Sequence, residues 1–332
     1  MKSAHSCRIS GTGMYVPEKV VTNEDLTHFI DTSDEWIKEK TGICERRVAS
    51  DTELPSDFCV YAAREALKNA NLSADNIDLI IVALSGPDVS SPATAAIVQK
   101  KLGATHAAVF DIRNGCQGFM TALITASKFI GDGTYKNILV IGTSFYGTFL
   151  EAAQWRDRTQ AVFFGDGSGA VVLSPSNQIA GLLSCDMGND KDAAHILHFP
   201  FGGVASLRET TYADKFLGNT MDGRFVFDFA VRTVPNTIRT SVEKAGLTLA
   251  DIDWVLLHQA NSNIINAIME ELKLPISKTY TNINRYGNTS EASLPIVLHE
   301  ALREGKIRSD DIVVLCGFGA GMGWGTAVFK WD

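Results

Sequence analysis

Residues 62–83, AAREALKNANLSADNIDLIIVA, lie without a gap on residues 237–258, TIRTSVEKAGLTLADIDWVLLH. Ala70 falls on Ala245 and Ile77-Asp78 on Ile252-Asp253, so 245 − 70 sets an offset of 175. The same offset carries Gly142, which closes Ile-Leu-Val-Ile-Gly, onto Gly317, which closes Val-Val-Leu-Cys-Gly. Two separated matches in one register mean two similar halves. In each half a helix-like segment passes through a polar turn into a short apolar run, then a second helix and a second apolar run, the alternation that layered α/β folds require. Leu79 to Leu84, Ile138 to Ile141, Val255 to Leu257 and Ile312 to Leu315 are the buried-strand candidates.

The expected organisation is one half over residues 1–175 and a second over 176–332, packed as one body because no low-complexity linker separates them. The segment from Ser184 to Asp222, rich in Gly and His, is expected to be an insertion or loop excursion between the halves.

The 332-residue chain is 45% hydrophobic and 20% charged, a globular composition, and its net charge of −8 makes nucleic acid a poor partner. Met1 to Ser10 lacks the apolar core of a secretory signal, and no apolar run approaches the roughly 18 residues of a membrane span, so a cytoplasmic location is expected. The six cysteines are scattered singly, with no paired spacing for zinc or redox work. His195 and His198 have a spacing sometimes used for metals, but no carboxylate or cysteine completes a set nearby, and no metal site is expected.

Three strings carry chemistry. Cys116 stands in Asp111-Ile-Arg-Asn-Gly-Cys-Gln-Gly-Phe119, His258 in Leu257-His-Gln-Ala-Asn261, and Asn288 in Arg285-Tyr-Gly-Asn-Thr-Ser290. A thiol nucleophile, an imidazole and a neutral amide donor suit acyl transfer through a thioester. The helix-compatible run Phe119 to Ile130 puts Cys116 at a helix N-terminus, where the dipole is expected to lower the thiol pKa. The Gly-rich turn Gly317-Phe-Gly-Ala-Gly321 can bring the Ala320 N–H beside that of Cys116 as an oxyanion hole. Residue order alone leaves a cysteine hydrolase open.

At these residues the chain resembles the β-ketoacyl-acyl-carrier-protein synthase III branch of the thiolase-fold condensing enzymes. Asp31-Thr-Ser-Asp-Glu-Trp-Ile37, Thr41-Gly-Ile43, Phe164-Gly-Asp-Gly167, His258-Gln-Ala-Asn261, Gly287-Asn-Thr-Ser290 and the Gly317 to Gly325 stretch follow that family's landmarks in order, over almost the whole chain. The resemblance implies two duplicated halves stacked as αβαβα layers, in a homodimer. It implies that Cys116 takes an acyl group from a thioester, while His258 and Asn288 stabilise the enolate formed when a malonyl-type thioester loses carbon dioxide. No permanently bound cofactor is implied, coenzyme A thioesters being substrates.

The resemblance also assigns coenzyme A contacts to Trp36, Arg158, Asn261 and Lys40, the last standing where arginine is usual; lysine keeps the charge and loses the planar fork. Ser91 stands where a bulky aromatic often closes the acyl pocket across the dimer, so a longer, branched or aromatic acyl group is conceivable. On the face expected to receive acyl carrier protein, Asn263, Glu270, Glu271 and Asp228 replace cations. Like charges weaken docking of an acidic carrier, so at least one substrate is expected to arrive on coenzyme A, or on an unusual carrier or partner subunit, with a role in specialised metabolism conceivable. Acyl transfer to an oxygen or nitrogen nucleophile without decarboxylation, and a non-catalytic partner subunit of a heteromeric synthase, are the alternative functions.

Overall fold

Leu79-Ile-Ile-Val-Ala83 has every side chain buried, and a strand apolar on both faces has to lie inside a sheet covered on both sides. It is β4 of a computed structural model that describes residues 6–146, 158–176, 180–198 and 220–332. The other strands are β1 (Ser6–Tyr15), β2 (Val20–Thr22), β3 (Glu45–Arg47), β5 (Ala108–Ile112), β6 (Ile138–Ser144), β7 (Gly167–Ser176), β8 (Gly181–Asn189), β9 (Leu197–His198), β10 (Thr220–Met221), β11 (Trp254–Leu257), β12 (Ile312–Gly319) and β13 (Gly323–Lys330). The helices are α1 (Asn23–Thr27), α2 (Asp34–Thr41), α3 (Pro55–Asn69), α4 (Thr94–Leu102), α5 (Gly118–Gly131), α6 (Arg158–Ala161), α7 (Gly223–Lys244), α8 (Ser262–Leu272), α9 (Ile283–Tyr286) and α10 (Ser293–Arg303).

One sheet runs β1-β7-β6-β4-β5 and the other β11-β12-β13-β8. In each, a parallel pair (β4 with β6, β11 with β12) continues into two antiparallel strands. The 175-residue offset therefore lays β1 on β8, β4 on β11 and α5 on α10, whose first residues are Ser6 and Gly181, Leu79 and Trp254, Gly118 and Ser293. Only the edge differs: β5 has a parallel place beside β4, whereas the equivalent stretch of the second half is helix α9. Helices α3 and α4 pack on the outer face of the first sheet and α7 on that of the second, with α8 against α7. Between the sheets lie α5 and α10, each touching both. These are the αβαβα layers of the thiolase fold.

Position in the stack explains sequence. Helix α5 is sealed between sheets, so Phe119, Met120, Ala122, Leu123, Ala126 and Ile130 are all buried and the helix carries almost no polar face. Gly142 and Gly317 are pseudo-symmetry mates with mirrored duties. A Cβ on Gly142 of β6 would stand 2.1 Å from the Glu291 carbonyl oxygen at the start of α10, and one on Gly317 of β12 would stand 2.9 Å from Met120 Cγ at the start of α5. Each half's glycine thus makes room for the other half's central helix.

The four buried-strand candidates form β4, β6, β11 and β12. The expected excursion at Ser184 to Asp222 needs correction: residues 184–189 belong to β8, paired along β13. An edge strand with one half-exposed face carries no continuous apolar run, and so gave no signal. Beyond it, β9 and β10 pair with each other, and residues 199–219 of that segment lie outside the described residues. No helix among the described residues is long and apolar enough to cross a membrane.

Candidate active site

A cavity of about 850 Å³ opens where the two central helices begin, and Cys116, His258, Asn288, Asn261 and Ala320 all line it. Cys116 comes from the tight turn Gly115–Gln117 immediately before α5, so the helix N-terminus foreseen for it is present. The turn needs glycine: Gly115 has φ +54°, and a Cβ there would stand 2.9 Å from Ala320 Cβ. On the other side a Cβ on Gly319 would press on Cys116 Cβ at 2.7 Å. The thiol receives the backbone N–H groups of both Cys116 and Ala320, and the Ser290 hydroxyl donates to its Sγ at 3.3 Å.

The expected lowering of the thiol pKa is overturned. Cys116 is half-buried, reached through the cavity and walled elsewhere by protein. Burial, and after it the charge of Glu291, pushes the thiol up to about 12; the hydrogen bonds from Ser290, Cys116 N–H and Ala320 N–H pull the other way and lose. The thiol is therefore protonated at neutral pH.

His258 follows β11 with its backbone N–H on the Cys316 carbonyl (2.9 Å) and its side chain 2% exposed. Its Nδ1 lies 2.6 Å from the Ser293 hydroxyl, the first residue of α10, and its ring meets Phe318 edge-on at 5.3 Å. Burial holds the imidazole down to about 3, so it is neutral across the physiological range. The Ser293 oxygen also accepts the Gln259 N–H at 3.3 Å, so one hydroxyl holds both the imidazole and the backbone beside it.

Asn288 is fixed by its backbone, whose N–H donates to the Phe163 carbonyl (2.8 Å) and whose carbonyl accepts from Gly165 N–H (3.1 Å). Its side-chain oxygen accepts from Ser290 N–H at 2.8 Å. With the oxygen occupied, the NH₂ end is the free end of this cavity-lining amide.

The remaining candidates lie apart from this cluster. Trp36 and Arg158 do meet, the guanidinium 4.9 Å from the ring centroid, but neither lines the cavity, and an adenine between them would have to lift Arg158 off the indole. Lys40 is exposed and paired with Glu39 at 2.7 Å; its carbonyl accepts the Asn261 side-chain amide at 2.8 Å. Asn261 also caps α8 by accepting Asn263 N–H at 2.7 Å, so it ties α2 to the cavity mouth. Ser91 is exposed, and within the single chain the cavity wall runs through Val89 and Ser90 instead. On the proposed carrier face, Asp228 and Glu270 are exposed while Glu271 is paired with Arg239 at 3.2 Å. Among the described residues no group of three or more His, Cys, Asp or Glu side chains is placed to hold a metal ion.

Sequence reasoning missed Ser293, Ser290, Ser85, Arg113 and Glu291, all set at or behind the cavity wall. For four of them the only sequence signal is nearness to a motif, since Arg113 precedes Cys116 by three positions and Ser290, Glu291 and Ser293 follow Asn288, while Ser85 has no such signal.

A duplicated α/β sandwich that brings a thiol, a neutral imidazole and an amide donor to one cavity defines a thiolase-fold acyltransferase of the condensing type. Comparison with known proteins gives the family. Residues 110–191 match the family model for 3-oxoacyl-[acyl-carrier-protein] synthase III, and residues 242–331 the model for its C-terminal part. The chain is 45% identical over 323 residues to the β-ketoacyl-[acyl-carrier-protein] synthase III of Geobacillus kaustophilus, covering 97% of this chain and 98% of that one. It superposes on the crystal structure of the Aquifex aeolicus VF5 3-oxoacyl-[acyl-carrier-protein] synthase III with a TM-score of 0.89 at 41% identity, covering 98% of this chain and all (100%) of the other. It also superposes on the priming β-ketosynthase of the R1128 polyketide pathway with a TM-score of 0.91 at 30% identity, covering 100% and 98%. The chain belongs to the β-ketoacyl-acyl-carrier-protein synthase III family.

Proposed function

We propose that Cys116 accepts an acyl group from a thioester and that the acyl-enzyme is attacked by the carbanion of a malonyl-type thioester as it loses carbon dioxide, giving a β-ketoacyl product. The observation that carries this reading is the convergence of Cys116, His258 and Asn288, from three separate elements, on one cavity. The N–H groups of Cys116 and Ala320 serve the thioester oxygen as it becomes an oxyanion. On the other side, Nε2–H of a neutral His258 and the NH₂ of Asn288 give the enolate oxygen two uncharged hydrogen-bond donors. Donors fixed in place act where the charge develops, and removing one from such a site lowers the rate by roughly 100- to 1000-fold.

The acyl donor is a coenzyme A thioester, with the pantetheine arm entering past Asn261 and the nucleotide near Trp36, Lys40 and Arg158. The second substrate is a malonyl-type thioester on coenzyme A or on an acyl carrier protein. The exposed carboxylates Asp228 and Glu270 support the coenzyme A route, and the Arg239–Glu271 pair softens that argument by cancelling one negative charge. The functional unit is a homodimer: β5 is a sheet edge whose Val109, Phe110 and Ile112 are only half-buried, and such an edge calls for cover. In a dimer the exposed loop at Ser91 would face the partner and help set the length of the acyl group. The likeness to a priming polyketide synthase supports a place in specialised as well as fatty acid synthesis.

Intact-protein mass spectrometry after mixing with acyl-coenzyme A and acyl-carrier donors tests the first half. The acyl mass is expected from coenzyme A donors and is expected to vanish in Cys116→Ala. Release of carbon dioxide from malonyl-coenzyme A or malonyl-carrier by the acyl-enzyme tests the second, and its absence with both would reject condensation.

A further inference from the structure

Glu300, on α10, is 0% exposed, and both of its carboxylate oxygens are taken up by side chains. Oε2 accepts from the Asn282 amide at 2.8 Å and from Arg285 at 2.9 Å; Oε1 accepts from the Tyr286 hydroxyl at 2.9 Å and from Arg303 at 3.3 Å. Asn282, Arg285 and Tyr286 belong to the segment that forms α9, which ends two positions before Asn288. The link between is tight: a Cβ on Gly165 would stand 2.2 Å from the Tyr286 carbonyl oxygen, and Gly287 turns with φ +64°. Asn288 is thus held between its backbone bonds to Phe163 and Gly165 on one side and the Glu300 clamp on the other.

A second set of bonds reaches the imidazole. The Asn282 N–H donates to Gln259 Oε1 at 3.2 Å, and Gln259 Nε2 donates to the Leu257 carbonyl at 2.8 Å. The Gln259 N–H and His258 Nδ1 both meet the Ser293 hydroxyl, at 3.3 and 2.6 Å. Ser293 and Glu300 lie about two turns apart on α10, hence on one face. The bonds therefore close a ring that runs from His258 through Ser293, the body of α10, Glu300, Asn282 and Gln259 back to His258. Every member is buried.

The second sheet does not need this ring in order to form, as the first half shows. At the 175-residue offset Gln259, Asn282, Arg285 and Glu300 fall on Leu84, Ala107, Phe110 and Thr125. Leu84 and Ala107 are buried in an apolar cluster, and Thr125 spends its hydroxyl on the Thr121 carbonyl of its own helix at 2.7 Å. Tyr286 falls on Asp111, which instead accepts from the Thr94 and Ala95 N–H groups at the start of α4. The first half thus joins strand end, edge segment and central helix with no carboxylate at the place of Glu300. For stability alone a buried carboxylate is no better than apolar packing. What the ring contributes is a fixed separation between imidazole and amide.

We infer that Glu300 is a positioning residue for the decarboxylating half of the reaction, holding the Asn288 amide at a set distance from His258 so that both donors meet one enolate oxygen. The inference rests on the reading of His258 and Asn288 as the enolate's donors. Glu300 does not line the cavity and acts only through the residues it holds. Two donors that converge on one oxygen are sensitive to their separation, and a misplacement of about 1 Å costs roughly 100-fold in rate. The charge they serve develops only as carbon dioxide leaves, so a misplaced amide lowers kcat and leaves KM nearly unchanged. Acylation of Cys116 uses the N–H groups of Cys116 and Ala320 and is indifferent to the ring.

The test follows two rates, with melting temperature as the check on folding. One is addition of the acetyl mass from acetyl-coenzyme A to Cys116. The other is carbon dioxide release by the acetylated enzyme from malonyl-coenzyme A and from malonyl-carrier. Glu300→Gln is expected to lower kcat for release about 30-fold with KM within about twofold. Tyr286→Phe, which removes one of the bonds to Glu300, is expected to lower it about fivefold. Acetylation of Cys116 is expected to stay within about twofold in both. In an Asn288→Ala background Glu300→Gln is expected to add less than about threefold, because the amide it positions is gone. Tyr286→Phe decides the question where Glu300→Gln does not fold. Equal slowing of both steps overturns the inference, since a merely structural role would give it. Release at the wild-type rate overturns it too, as does the full effect of Glu300→Gln surviving without Asn288. Wild type that takes the acetyl mass and releases no carbon dioxide from either malonyl donor overturns the decarboxylation reading itself, and the positioning role with it.

Discussion

Lowering the pH from 7 to 5 should destabilise this protein through His258. Its imidazole is 2% exposed, edge-on to Phe318 and bonded to Ser293, and burial pushes its pKa from 6.5 to about 3. The folded value lies below the unfolded one, so between roughly pH 6.5 and pH 3 the unfolded chain binds a proton that the folded chain refuses. The stability from keeping His258 neutral is complete above pH 6.5 and is lost at about 1.4 kcal/mol per pH unit as the pH falls, until the folded imidazole itself titrates. At pH 5 the loss is about 2 kcal/mol. At about 2.1 cal/mol/K per residue, a chain of 332 residues unfolds with an entropy near 0.7 kcal/mol/K, so the shift in Tm is about 3 °C.

Other buried groups have shifted pKa values too, so the comparison is with His258→Gln, which keeps a polar amide near Ser293 and cannot be protonated. His299, also held down chiefly by burial, acts in the same direction as His258. Glu291 and Asp111 are raised chiefly by burial and act oppositely, favouring the folded state as the pH falls. All three are common to both proteins. Thermal unfolding at pH 7 and pH 5 should show a drop in Tm that is smaller in His258→Gln by about 3 °C. Equal drops would refute the reasoning, by showing that the imidazole accepts its proton inside the folded site.

Ser293→Ala should slow carbon dioxide release from malonyl-coenzyme A about tenfold, the effect of one lost hydrogen bond to a buried group, and leave Cys116 acylation within about twofold; equal loss in both steps would remove His258 from the decarboxylation half. Gly142→Ala should lower stability in urea by roughly 3 kcal/mol, the upper range for an overpacked core, because its Cβ meets a backbone carbonyl at 2.1 Å. Gly317→Ala should lose less than half as much, since Met120 is flexible and can turn aside; the reverse order would show that α5, not α10, is the rigid partner. Glu300→Gln should destabilise by about 3 kcal/mol, since that fully buried carboxylate accepts from Asn282 (2.8 Å), Arg285 (2.9 Å), Tyr286 (2.9 Å) and Arg303 (3.3 Å). Unchanged urea unfolding there would mean the donors find water instead.

The duplication was legible because the stretches that show it are buried or tightly turned in both halves. Ile77 and Ile252 are core residues after equivalent turns, and Gly142 and Gly317 face helix starts that leave little room for a side chain. Strand β8 was not legible, although it is the pseudo-symmetry mate of β1, because its alternating half-exposed residues can change without harm to the core. Cys116, His258 and Asn288 were legible because each sits in a string constrained on both sides, by Gly115 and Gly319, by β11 and Ser293, and by Phe163 and Gly165. The thiol's ionisation was not, because helix position is local information and burial is not. Cys116 was assigned a helix dipole from the twelve residues Phe119 to Ile130, while the groups that decide its state arrive from positions 290, 291 and 320.

The pseudo-symmetry carries that point further. Helices α5 and α10 begin side by side at the cavity, each with a 3₁₀ turn, and a symmetric ancestor of these turns would hold the same residue twice. Here one turn offers Gly115-Cys116-Gln117 and the other Ser290-Glu291-Ala292, then Ser293. The divergence is chemical: the first turn holds the thiol proposed as nucleophile, and the second holds the groups that bond to the thiol and to the imidazole. If a symmetric pair of helix starts builds the site, then a mutation in the second turn should change reactivity at Cys116 with little change in fold, and Ser290, whose hydroxyl touches the thiol while its backbone already tolerates strain, is where that separation should be sharpest.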